Sequence, residues 1–132
     1  MVDKVMTFRK MIKSDLNLFL EIRNKSLKYL HNNTKFTLLE SIKWFEDIEP
    51  KYFMIELDGK SVGYFRTSNW VNDSMYLGCD IHPSYRNMGI GQKAYTKFIK
   101  KLYSEHKVKT IQLEVLETNE RAIHLYKKLG FV

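Results

Sequence analysis

Tyr85-Arg-Asn-Met-Gly-Ile-Gly-Gln92 is the stretch on which the reading of this chain turns. It follows the apolar run Met75 to Ile81 and the pair His82-Pro83. It precedes Ala94, Phe98, Ile99, Leu102 and Tyr103, which are spaced as the inner face of a helix that starts at Ile90. A loop between a strand and a helix N-terminus presents unpaired N–H groups at the positive end of the helix dipole, an arrangement suited to phosphate. Gly89, Ile90, Gly91 and Gln92 lie at that entry. The glycines let backbone approach a ligand, and Asn87 is a residue type that tolerates left-handed backbone, so a nest of N–H groups can form. Arg86 adds a positive charge. Two glycines also fit a plain tight turn. The run Gly89-Ile-Gly-Gln-Lys-Ala94 matches the dinucleotide fingerprint G-x-G-x-x-A as well. However, seven residues, His82 to Met88, part it from its strand, and about forty residues remain to finish a nucleotide fold.

On the N-terminal side of the loop, Met75 to Ile81 reads as a strand preceded by a turn over Asn69 to Ser74. Before that, Tyr52 to Leu57 and Ser61 to Arg66 flank Asp58-Gly59-Lys60, a hairpin signal because Gly accepts positive φ. Two helices come first. Ser14-Asp15 starts one with Leu16, Phe19, Leu20 and Arg23 at helical spacing, and the capping box Thr37-Leu-Leu-Glu40 starts another ahead of Ile42, Trp44 and Phe45. Met6 to Lys10 alternates weakly as a first strand. On the C-terminal side, Thr110 to Val115 reads as a strand, completing a βαβ crossover. A last helix runs from Asn119, a good N-cap, to Gly130.

The chain has 132 residues, with 44% hydrophobic and 28% charged, which fits one domain over 1–132 with its own core. No linker, repeat or low-complexity tract divides it. No run approaches the roughly 18–20 apolar residues of a spanning helix, and the start lacks the apolar core of a signal peptide, so no membrane partner and a cytoplasmic location are expected. One cysteine, Cys79, cannot form an internal disulfide, and the four histidines lack metal-ligand spacing, so no metal is expected. The net charge of +7 favours an anionic partner. Nucleic acid is one such class; a phosphorylated cofactor is the other, with Lys93, Lys97, Lys100 and Lys101 near the loop. A solvated helix face explains the same lysines.

Together, Arg86-Asn-Met-Gly-Ile-Gly91 after Ile81-His-Pro, and Leu113-Glu-Val-Leu-Glu-Thr-Asn119-Glu-Arg-Ala122-Ile-His-Leu-Tyr126-Lys-Lys-Leu-Gly130-Phe131, resemble the GNAT superfamily of N-acetyltransferases over residues 61–132. The resemblance implies an α+β fold of the α/β/α type. Its mixed, largely antiparallel sheet has a central parallel splayed strand pair and flanking helices, with the C-terminal strands missing here. It implies acetyl-CoA as cosubstrate, and hence no nucleic-acid partner. The strand before the loop is expected to be bulged, with pantetheine lying against it. Backbone of Cys79, Asp80 and Ile81 is expected to meet pantetheine and the acetyl carbonyl, one N–H stabilising the oxyanion. The pyrophosphate is expected on Arg86, Asn87, Met88, Gly89, Ile90, Gly91 and Gln92, and Asn119 beside the pantetheine arm.

For the chemistry, the resemblance places Tyr126 as the acid that protonates the departing thiolate. It places Glu114, twelve residues earlier, as the base, a spacing similar to that of ribosomal-protein N-terminal acetyltransferases. Each has another reading. Tyr126 is at helical spacing with Ala122 and Leu129, as a core aromatic is, and Glu114 between Leu113 and Val115 fits a solvated strand face. Asp80 competes as base. Met75 stands where histone-type members carry a catalytic glutamate, which argues against that mechanism. Cys79 as an acetyl-thioester nucleophile competes with a buried small side chain.

The acceptor is expected against the first two helices, among Tyr29, His31, Phe36, Trp44 and Phe45, in a pattern similar to members acting on small-molecule amines such as amino sugars. Peptide or protein N-termini, and a non-catalytic acetyl-CoA binder, are the alternatives. The family usually continues past Gly-Phe with further strands, whereas Phe131-Val132 end this sequence; an open sheet edge would favour a homodimer.

Overall fold

The computed structural model describes residues 4–27, 30, 34–115 and 118–131. Strand β1 (Met6–Lys10) leads through a 3₁₀ turn (Lys13–Asp15) into α1 (Leu16–Asn24), and α2 (Leu38–Ile48) follows. Then come β2 (Phe53–Leu57), β3 (Lys60–Val71), β4 (Ser74–Ile81), a second 3₁₀ turn (Pro83–Tyr85), α3 (Ile90–Glu105), β5 (Thr110–Gln112) and α4 (Glu120–Lys128). The five strands form one sheet in the order β1-β2-β3-β4-β5, antiparallel except where β4 and β5 run parallel. This is the mixed α+β architecture expected.

Local signals account for the element starts. Thr37 accepts a hydrogen bond from the Glu40 N–H at 3.2 Å while Glu40 accepts from the Thr37 N–H at 3.0 Å, so the capping box opens α2. Asp58 (φ 51°) and Gly59 (φ 82°) both take left-handed backbone, which turns β2 into β3. Neighbouring residues Met54 and Ile55, and Tyr64 and Phe65, are each fully buried on opposite faces, because helices cover both sides of the sheet. One face packs on α3, where the Phe98 ring stacks on Phe65 at 4.3 Å and meets Phe8 and Phe53 at 5.1 Å. The other packs on α1 and α2, where Phe19 stacks on Trp44 at 5.3 Å.

Three expectations are corrected. The strand read over Thr110 to Val115 closes at Gln112. Residues 111–115 keep alternating half-buried and exposed side chains, but the ladder to β4 covers only Ser74↔Thr110 to Tyr76↔Gln112. The bulge expected in β4 does not fall near the loop: the register with β3 is unbroken from Gly63↔Ile81 to Ser68↔Tyr76, and the ladder shifts only at the far end, between Ser68 and Val71. Tyr103, read as part of the α3 inner face, is exposed, while the neighbouring Tyr95 is buried.

The N-terminal corner is fixed by Asp15. Its carboxylate accepts two hydrogen bonds from Arg9, at 2.8 and 2.7 Å, and one from the Ile12 N–H at 2.8 Å. Burial works to raise its pKa, but the Arg9 and Ile12 hydrogen bonds outweigh it and hold the carboxyl below its usual range. A folded pKa below the unfolded one gives stability that is present above the unfolded value and lost as pH falls through the folded one. Asp15→Asn is therefore expected to cost about 1–3 kcal/mol at neutral pH. In urea melts that difference should shrink towards zero as the pH is lowered through the acid range.

Candidate active site

Beyond Tyr76, β4 keeps its β3 partner but has no β5 partner among the described residues, so Leu77 to Ile81 present an open backbone edge. Cys79, Asp80 and Ile81 lie on that edge and line a cavity of about 470 Å³. The cavity runs from the loop before α3 to the inner face of α4. It includes Asn87, Gly89, Ile90, Gly91 and Gln92 at one end, and Glu114, Asn119 and Tyr126 at the other. Of the residues expected from sequence, Met88 alone does not line it; its side chain is 67% exposed.

The loop geometry follows from its residue types. Asn87 (φ 63°) and Gly89 (φ 75°) both sit in the left-handed region, which turns the chain into α3. The first bond that closes the helix runs from the Lys93 N–H to the Gly89 carbonyl at 3.2 Å, and the N–H groups of residues 87–92 donate to no backbone carbonyl among the described residues. Unpaired donors at a helix start form an anion site. At Gly91 an added Cβ would meet only Leu125 Cδ2, at 3.8 Å. Packing within the protein therefore does not demand glycine there.

Arg86, which lines the cavity as expected, is also held by protein groups. Its Nε donates to the Ile81 carbonyl at 3.1 Å and its guanidinium to Ser26 Oγ at 2.8 Å, while Ser26 donates to the Ile22 carbonyl at 2.7 Å. The side chain thus ties the end of β4 to the end of α1 at the cavity wall. None of Lys93, Lys97, Lys100 and Lys101 lines the cavity, and Lys101 pairs with Glu105 at 2.7 Å. The basic lining comes instead from Arg66, Arg86, Arg121 and Lys128, which sequence spacing did not single out apart from Arg86.

At the other end, the Asn119 side chain caps α4 by accepting from the Ala122 N–H at 3.3 Å while also lining the cavity. Glu114 is exposed at the wall. The Tyr126 hydroxyl lies 3.2 Å from that of Tyr95, with the rings edge-on at 5.6 Å. Burial pushes the Tyr126 phenol above its ordinary value and the hydrogen bond with Tyr95 opposes this, so it holds its proton at neutral pH. Burial pushes the Cys79 thiol well up, which removes the thiolate that a thioester nucleophile needs. Arg66 Nε sits 3.0 Å from the buried Asp80 carboxylate, a close ion pair without a well-directed hydrogen bond. The Arg66 guanidinium lies on Gly78, where a Cβ would come within 2.6 Å of it.

Tyr95 was legible in principle, since Tyr95, Phe98 and Leu102 recur at helical spacing. Arg66 was not, because its partner Asp80 is on the neighbouring strand. Among the aromatic residues expected near the acceptor, Phe36 and Trp44 line a separate cavity of about 650 Å³ with Phe19, Arg23 and Tyr52, and Tyr29 and His31 lie outside the described residues.

A family model described as the acetyltransferase (GNAT) family matches residues 16–131. The chain belongs to the GNAT acetyltransferase family. An uncharacterised N-acetyltransferase of Methanocaldococcus jannaschii is 33% identical over 141 residues, covering 97% of this chain and 61% of that protein. This GNAT chain thus spans less than two thirds of that relative. The crystal structure of a domain from M. jannaschii DSM 2661 matches with a TM-score of 0.84 at 24% identity, over 98% of this chain and 90% of that one. The Salmonella typhimurium protein yncA, whose structure holds its cofactor acetyl-CoA, matches with a TM-score of 0.76 at 20% identity, over 96% and 79% of the two chains. In this GNAT chain the open β4 edge, the N–H loop and Tyr126 of α4 meet at one cavity. Among the described residues no helix is long and apolar enough to cross a membrane.

Proposed function

We propose that the protein is an acetyl-CoA-dependent N-acetyltransferase that moves an acetyl group to the primary amine of a small molecule by direct attack in a ternary complex. One observation carries this reading. A single cavity joins the unpaired N–H groups of the loop to the Tyr126 hydroxyl along the open edge of β4. That path has phosphate-binding chemistry at one end, strand-like backbone in the middle and a proton donor at the far end. Residues 87–92 hold the pyrophosphate, and Cys79 to Ile81 hold the pantetheine and the acetyl carbonyl by main-chain bonds. Tyr126 gives its proton to the departing sulfur, and Glu114 at the cavity wall receives the proton from the amine. Direct attack agrees with the inert Cys79 thiol.

Calorimetry with CoA and acetyl-CoA, followed by a panel of amines read by free-thiol release, tests this. Saturable binding of acetyl-CoA with thiol release on at least one small amine is the expected result. Binding without turnover on any amine would leave a cofactor-binding protein, turnover only on peptides would replace the small-molecule acceptor, and no binding would overturn the reading.

Gly91→Ala provides a second check with opposite signs. Alanine in the first turn of α3 is expected to leave the fold intact or stabilise it by about 0.5–1 kcal/mol. The added methyl occupies the space against which the phosphates lie, so acetyl-CoA affinity should fall at least about tenfold, roughly 1.4 kcal/mol. Thermal melts and calorimetry on the same sample read both.

A further inference from the structure

We propose that Tyr95 is a positioning residue whose hydroxyl donates a hydrogen bond to Tyr126 Oη, aiming the Tyr126 proton into the cavity and steadying the phenolate left when that proton is given up. The inference rests on Tyr126 being the proton donor of the proposed reaction.

The direction of the bond follows from burial. Tyr95 is 2% exposed, its ring set edge-on between Phe65 at 5.2 Å and Tyr126 at 5.6 Å. Among the described residues its hydroxyl meets one polar partner, the Tyr126 oxygen at 3.2 Å. A buried hydroxyl must place its proton on an acceptor. Both tyrosines line the cavity, but Tyr95 is 2% exposed while Tyr126 is half-buried. If Tyr126 donated to Tyr95, the Tyr95 proton would have no protein acceptor among the described residues, and the more open hydroxyl would face the cavity with a lone pair. With Tyr95 donating, both protons are placed, and Tyr126, the more exposed of the two, keeps its own for a ligand.

The step balances without a further reactant. The amine nitrogen bonds the acetyl carbon and the carbon–sulfur bond breaks with its electron pair on sulfur. Tyr126 protonates that sulfur, and the Tyr126 oxygen takes up the charge while accepting from Tyr95. The proton shed by nitrogen passes to Glu114 and from there, through solvent, restores Tyr126. A hydrogen bond that strengthens as charge develops acts on the transition state rather than on binding.

The other groups that bear on Tyr126 are Cys79 and Asp80 of β4 and Arg66 of β3, and none is altered by changing Tyr95. The Tyr95 bond lowers the Tyr126 pKa, against the burial that raises it. The test is a spectroscopic titration of phenolate absorbance that needs no turnover. Wild type and Tyr126→Phe identify the Tyr126 transition as the one missing in the variant. Tyr95→Phe, which keeps the packed ring, should move that transition up by about one pH unit. A transition that stays in place or moves down would overturn the proposal. In turnover, Tyr95→Phe should lower kcat several-fold with KM for acetyl-CoA unchanged and carry the alkaline limb upward. A loss confined to KM or to the melting temperature would make Tyr95 a packing residue. If no amine is turned over, the titration still decides the hydrogen bond, so failure of the enzyme reading and failure of this one are separable.

Discussion

Tyr126→Phe is expected to lower kcat by at least about tenfold, and up to about 10³-fold, while acetyl-CoA affinity stays within error. The change removes one oxygen from a ring that packs against Tyr95 and Phe131, with centroids at 5.6 and 6.2 Å, so the cavity wall remains. In the proposed reaction, what is lost is the proton given to the leaving sulfur. A thiolate expelled without a donor must be protonated by water, and the barrier rises by the part that general-acid help supplied. Steady-state rates with calorimetric binding separate the two quantities. Equal activity would make the phenol a packing group and move the search for the acid to another cavity residue.

Phe98→Ala is expected to cost about 3–5 kcal/mol. The ring is fully buried and meets Phe8, Phe53 and Phe65, so its loss opens a cavity bounded by three rigid aromatics that cannot collapse into it. A domain this size has total stability of about 5–15 kcal/mol, so the variant sits near the folding threshold. Because α3 begins at the N–H loop, loosening its anchor also loosens the loop. Saturating acetyl-CoA at about one hundred times its Kd should return about 2.7 kcal/mol by binding only the folded form. Urea midpoints with and without acetyl-CoA test both parts. A cost under 1 kcal/mol would show that the aromatic cluster does not hold α3.

The sequence was legible where a physical rule is local. Asp58-Gly59, Thr37 with Glu40, and Asn119 each act within a few residues, and the structure uses all three as turn or cap. It misled where side-chain pattern and backbone pairing part company. Leu113 and Val115 alternate as a strand does, and that alternation is visible in sequence, but whether Glu114 bonds to β4 depends on a neighbour elsewhere in the chain. Arg86 was read from its place in the loop and does line the cavity, but its tie to other elements was not visible there. Its partners, Ile81 and Ser26, lie on other elements, and the second is sixty positions away. The Arg66 and Asp80 pair was hidden for the same reason, while Tyr95 was passed over between Ala94 and Phe98.

The loop before α3 presents main-chain N–H groups that bond no backbone carbonyl among the described residues. Such groups are carried by every residue except proline, so the recognition they provide is detached from residue identity. Substitution at an exposed position such as Met88 leaves that surface chemically unchanged, provided the backbone keeps its path. Mutational drift at the cofactor end is therefore bounded by conformation alone. Where the cavity is lined by side chains instead, as at Glu114, Asn119 and Tyr126, divergence changes the chemistry of the wall itself.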